Sequence, residues 1–129
     1  MAVAVGYEYF IGMPRAHRHA ITLESEQAAV PAMPGASYLS ESHTEKGFVV
    51  SVARAYRGNM NFDEVRTFYD RELSARGWVF EQMSPIRDWG TDYGGKRVTY
   101  RKGDYTVNVD YSGDQDHFGW AYSVAFRWD

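Results

Sequence analysis

Residues 61–78 read NFDEVRTFYDRELSARGW, and the fold follows from them. Asn61 is placed to cap the free amides of a helix's first turn, and Glu64, three residues on, reaches back to the cap's own amide. Met60 before the cap and Val65 after it form the hydrophobic clasp that fixes the entry angle. Phe62, Val65, Phe68, Tyr69 and Leu73 recur at three- and four-residue spacing, which makes one stripe apolar and aromatic. On the wet side, Arg66 with Asp70 and Glu72 with Arg76 are opposite charges four apart. Gly77 supplies the left-handed residue that closes a helix and sets Trp78 over Leu73. The pattern predicts a helix over about 62–76 built to lie on a sheet.

Strand patterns surround it. Residues 37–45 (SYLSESHTE) read as a polar edge strand, and Glu45–Gly47 as a turn. Over 48–57, Phe48, Val50, Val52 and Tyr56 share one side, which suits a half-buried strand, with Arg54 breaking that side. Trp78–Ser84 leaves the helix as a strand. Residues 85–95 (PIRDWGTDYGG) read as a loop punctuated by proline and glycine. Three strands close the chain at 96–102, 105–112 and 119–128, with Gly103-Asp104 as a hairpin turn. Tyr105, Val107, Val109 and Tyr111 share a face, as do Trp120, Tyr122, Val124, Phe126 and Trp128, so one face is covered and the other wet. The fold class is α+β: one long helix on a twisted, mostly antiparallel sheet of five to six strands, in the order β-β-α-β-β-β-β.

The first third reads differently. Residues 2–13 (AVAVGYEYFIGM) are apolar apart from Glu8 and are followed by Arg15, His17, Arg18 and His19. Twelve helical residues reach about 18 Å, short of a hydrocarbon core of about 30 Å. The basic residues come after the apolar run, which is not the order of a secretory signal. Two readings stand for residues 2–19: packing on the domain's own body, or contact with a partner or a membrane surface. Residues 24–37, with Pro31, Pro34 and Gly35, read as an irregular linker. Residues 1–36 are thus taken as an N-terminal arm and linker, and 37–129 as a single α+β domain.

Composition narrows the function classes. The 129 residues carry a formal charge of −3 and no run of Lys or Arg, which argues against nucleic acid as partner. With no cysteine, disulfides, thiolate nucleophiles and cysteine-held metals are excluded.

The run Pro34-Gly35-Ala36, a strand pair, then Asp63/Glu64-Val65…Phe68-Tyr69…Leu73…Gly77-Trp78 resembles a family of small bacterial domains, many of them in exported or lipid-anchored proteins. The likeness covers about residues 31–128. It implies a helix followed by a C-terminal antiparallel sheet and leans towards the cell envelope or membrane periphery. No catalytic residues carry over from it. This chain shows neither the signal peptide nor the lipid-accepting cysteine of the exported members.

Several constellations bear on chemistry. Asp110, Asp114, Asp116 and His117 gather near one turn, yet their spacing does not match a calcium loop. Such residues also satisfy turn backbones. His17 and His19, two apart, would share a face on a strand and make half a metal site. Asp88 and Asp92 are a candidate carboxylate pair. There is no glycine-flanked serine elbow and no phosphate-cradling loop. The expectation is therefore no catalytic residue, no cofactor and no metal.

The surplus of aromatics is more telling, since 16% of the chain is Phe, Trp or Tyr. Tyr7, Tyr9, Phe10, Trp89 and Tyr93 fall in the arm or a loop, and with Arg15 and Arg18 they are the expected partner-binding residues. The leading expectation is a non-catalytic accessory subunit docking on a larger, membrane-associated protein assembly. The alternatives are a small-molecule or peptide-binding module using the sheet face, and a metal-dependent hydrolase at the 110–117 loop.

Overall fold

A computed structural model describes residues 2–129, with side chains from Arg15 onward. The elements run α1 (Ala2–Ala29), β1 (Ser37–Lys46), β2 (Val49–Arg57), α2 (Phe62–Ser74), β3 (Val79–Asp88), β4 (Thr91–Lys102), β5 (Tyr105–Tyr111), α3 (Gln115–Phe118) and β6 (Tyr122–Trp128). Six strands form one antiparallel sheet in the order β1-β2-β6-β5-β4-β3. The α+β class and the order β-β-α-β-β-β-β from Ser37 onward are those read from the sequence.

The central helix is built as its sequence specifies. Asn61 Oδ1 accepts from the Glu64 amide at 2.8 Å, and Glu64 Oε1 accepts from the Asn61 amide at 3.0 Å. Val65, Phe68, Tyr69 and Leu73 are buried. Gly77 adopts φ +90°, and the Trp78 amide donates to the Leu73 carbonyl at 3.0 Å. Arg76 pairs with Glu72 at 2.7 Å and Arg66 with Asp70 at 3.5 Å.

The N-terminal third departs from expectation. The linker expected over 24–37 is helical as far as Ala29, and only the following stretch is irregular. Ala16, Ala20, Leu23, Gln27 and Val30 recur at four- and three-residue spacing and are all buried, so this part of the chain is core. Small alanines let α1 lie close over β1, β2 and β6, while α2 lies over β3, β4 and β5. Glu26 ties α1 across the sheet, accepting from Lys102 Nζ at 2.8 Å and from the Trp78 indole at 3.3 Å.

Both helices cover the same face. Val50, Val52, Val98, Tyr100, Val107, Val109, Tyr122, Val124, Phe126 and Trp128 rise into the core between them and the sheet. At the seam, the Tyr69 and Tyr122 hydroxyls lie 2.9 Å apart, and the Met33 amide donates to the Tyr122 oxygen at 3.3 Å. Burial raises both phenolic pKa values above the ordinary value. The other face is wet: Arg97 makes a bidentate pair with Asp110 at 2.8 and 2.9 Å, and Arg101 pairs with Glu81 at 2.7 Å. Phe48, read as core-facing, sits in the β1–β2 turn and is exposed.

Candidate functional site

The stretch 85–95, read as a loop, is a β-hairpin instead. Strands β3 and β4 pair out to Asp88 opposite Thr91, leaving Trp89-Gly90 as a two-residue turn. Pro85 is tolerated because β3 is the last strand of the sheet, where a missing donor breaks no inner ladder. Trp89 adopts φ +51° and Gly90 φ +79°. Positive φ at both central residues is the signature of the type I′ hairpin turn, whose first position favours Asn, Asp or Gly. A bulky residue held there costs about 1–3 kcal/mol. Trp89 gains no packing in return, since 98% of its surface is exposed.

The hairpin below the tip is braced from the β5–β6 connection. The Tyr93 ring stacks on His117 with centroids 4.1 Å apart and planes 15° from parallel. Phe118 meets Tyr93 edge-on at 5.6 Å, and Trp120 adjoins Phe118 at 5.8 Å. His117 Nε2 lies 2.9 Å from Asp88 Oδ2, just before the tip. Asp114 caps the short α3, accepting from the His117 amide at 3.0 Å. Gly113, at φ +77°, lets the connection press directly on the backbone of Tyr93 and Gly94.

Most of the polar residues with a bearing on chemistry have partners of their own. Asp110 is on Arg97, Asp114 on the α3 cap and His117 on Asp88. Asp92 accepts from the Gly94 amide at 2.8 Å and does not pair with Asp88. His17 and His19 lie on a helix, so they diverge: His17 reaches Glu45 at 3.5 Å, while His19 Nδ1 lies 2.7 Å from the Tyr105 hydroxyl. His19 also stacks on Trp128 at 4.0 Å. Burial, with Arg15 and Arg18 nearby, lowers the His19 pKa below 6.5. Among the described residues, no group of three or more His, Asp or Glu is arranged to hold a metal ion, and no helix is long and apolar enough to cross a membrane.

The expected partner-binding residues divide into two groups. Trp89 and Tyr93 share the β3–β4 hairpin. Arg15 and Arg18 are exposed on α1, with the Arg15 guanidinium 5.5 Å from the Trp128 ring. The side chains of Tyr7, Tyr9 and Phe10 lie outside the described residues. Trp128 pairs with Tyr105 at one end of the sheet, whereas Tyr122 pairs with Tyr111 at the other, beyond which the hairpin extends. At about 3.3 Å per residue along β6 and onward through β4, the two groups are roughly 35 Å apart. They cannot serve one compact contact.

Comparison with known proteins finds no matching family model, no matching curated protein and no matching solved structure.

Proposed function

We propose that this chain is a non-catalytic accessory subunit that docks on a larger protein through the β3–β4 hairpin tip, with Trp89 as the anchor. The observation that carries this reading is the fully exposed indole at a left-handed turn position. Within the chain, Trp89 is all cost: strained backbone, wetted apolar surface and no internal contact. A side chain kept under those terms is accounted for by a partner pocket that takes it up on binding. Tryptophan is among the residues that dominate binding energy when buried at the centre of an interface. The Tyr93–His117–Phe118 brace supports the reading, because a tip already held in place loses less freedom on docking.

The apolar run of residues 2–13 is the second contact in this proposal, reaching a partner or a membrane surface from the far end of the sheet. The family resemblance supports a cell-envelope setting. The sheet-face pocket of the small-molecule alternative has no support from the packing, since α1 and α2 occupy the covered face.

The test is a paired capture with wild type and Trp89→Asn. The variant suits a type I′ turn better than the native residue, so it is expected to gain about 1 kcal/mol of stability while losing the captured partner. A partner retained with equal affinity by Trp89→Asn refutes the anchor. Size-exclusion with and without residues 1–13 then reports whether the second contact holds the same partner.

A further inference from the structure

The sheet has two outer strands, and they end it differently. At β3 the pairing with β4 shifts register between Phe80 and Gln82 and again between Ile86 and Arg87, and Pro85 offers no N–H. Bulges and proline are the usual means of keeping an edge from pairing. β1 has neither along most of its length. Its register shift lies between Tyr38 and Ser40, and from Ser40 to Lys46 it runs unbroken beside β2. All 10 of its residues are exposed, and among the described residues no strand lies on its outer side.

The turn decides which backbone groups point outward. Lys46 pairs with Val49 across Gly47 and Phe48, and the closing pair of a two-residue hairpin exchanges both its backbone bonds. Alternation then directs the N–H and C=O of Ser42 and Thr44 to β2 and those of Glu41, His43 and Glu45 away from it. Such a row is a template for one more antiparallel strand.

Charge selects the strand that fits. Two copies of β1 related by a two-fold axis set one residue opposite itself. Centred on His43, the pairing puts Glu41 against Glu45 of the second copy; centred on Glu41, it puts that carboxylate against its own counterpart. Centred on Thr44, it spans only residues 42–46. Centred on Ser42, it spans residues 38–46 and sets Glu41 opposite His43 of the second copy on both sides of the axis. A neutral imidazole donates one N–H to a carboxylate and a protonated one donates two, so the match holds in either state. The same register brings the turn of one copy, with its exposed Phe48, beside the exposed Tyr38 and Leu39 that open the other copy's β1. Apolar surface that is wet at both ends of the single edge thus meets across the axis.

We infer that two copies of this chain associate edge to edge through β1, centred on Ser42, joining their sheets into one antiparallel sheet. The guarded β3 edges lie at its far ends, so the assembly closes at two copies and leaves both β3–β4 hairpins accessible. A strand edge buries less than the roughly 1,600 Å² of a standard interface, which makes the dimer weak and reversible.

The test is sedimentation velocity of the full chain from about 1 μM to about 1 mM, with amide exchange read at both ends of that range. A monomer–dimer equilibrium is expected, with exchange at Glu41, His43 and Glu45 slowing as the dimer fills and exchange along β3 unchanged. His43→Glu sets carboxylates opposite each other and is expected to weaken the dimer about tenfold. Adding Glu41→Lys to it restores opposite charges and is expected to recover the dimer. His43→Pro removes an outward N–H without breaking the β2 ladder, and is expected to abolish association with the circular dichroism spectrum unchanged. A chain that stays monomeric throughout refutes the inference. So does a dimer that His43→Glu and His43→Pro leave equally tight, or one that the double variant, still folded, fails to recover.

Discussion

Truncating Leu23 tests whether the later half of α1 belongs to the core. Leu23 is fully buried, whereas Ile21, two residues earlier on the same helix, is 53% exposed. Leu23→Ala removes three carbons from the core; at about 0.8 kcal/mol each the transfer loss is about 2.4 kcal/mol. Incomplete collapse around the gap adds about 1 kcal/mol, for a total of about 3.5 kcal/mol. Unfolding entropy of about 2.1 cal/mol/K per residue, over 129 residues, turns that into a fall in Tm of about 13 °C. Ile21→Ala, losing mostly wet surface, is expected to stay within about 0.5 kcal/mol. Thermal and urea unfolding followed by far-UV circular dichroism measure both variants. If Leu23→Ala costs less than about 1 kcal/mol, or no more than Ile21→Ala, then α1 is not part of the cooperative unit.

Three further outcomes are expected. Asn61→Ala removes the reciprocal cap of α2 and should cost about 1 kcal/mol, read as a drop in Tm of about 4 °C; an unchanged Tm would show that the cap is idle. Gly113→Ala combines a left-handed φ with a methyl group directed into the Tyr93 carbonyl and Gly94. It should cost at least about 2 kcal/mol and speed amide exchange in residues 93–95; unchanged exchange there would mean that the brace is not needed. The third concerns pH. Burial foremost, then Arg15 and Arg18, hold the His19 pKa below 6.5, so the unfolded chain takes up its proton first as pH falls. The stability from neutral His19 is therefore full well above 6.5 and is lost on acidification towards the folded value. Relative to His19→Phe, wild type should lose unfolding free energy between about pH 8 and about pH 5, and a gap that widens in its favour would overturn this.

The legible parts of the chain were those whose cause is local. The cap of α2 needs only Asn61 and Glu64, and β6 alternates without interruption from Tyr122 to Trp128. The docked half of α1 was harder to read because its inner stripe is Ala16, Ala20, Leu23 and Gln27. Two alanines and an amide make only a weak apolar stripe, Ile21 adds an apolar residue to the exposed side, and Pro31 and Pro34 pull the reading towards a linker. The β3–β4 hairpin was obscured by Pro85, Gly94 and Gly95. Its turn position, where asparagine or glycine is the usual cue, is filled by Trp89. Trp89 and Tyr93 stand out in the sequence all the same, as aromatics outside any periodic pattern, and the structure puts both on the β3–β4 hairpin. Gln27 carried no signal at all: its burial exists only once α1 is laid against the sheet.

The place of β6 in the sheet bears on how the molecule is made. It follows all the other strands in the chain, yet it lies between β2 and β5, so that Val50 meets Trp128 from the far end of the chain. Until it inserts, β1–β2 and β3–β4–β5 are two half-sheets, each with a raw inner border, and α1 lacks part of the floor it rests on. Contacts this distant make closure slow, because the long loop must form before any pairing rewards it. During that interval a neighbouring copy's β6 fits the same slot. Strand exchange between nascent molecules is therefore the characteristic way for this architecture to go astray.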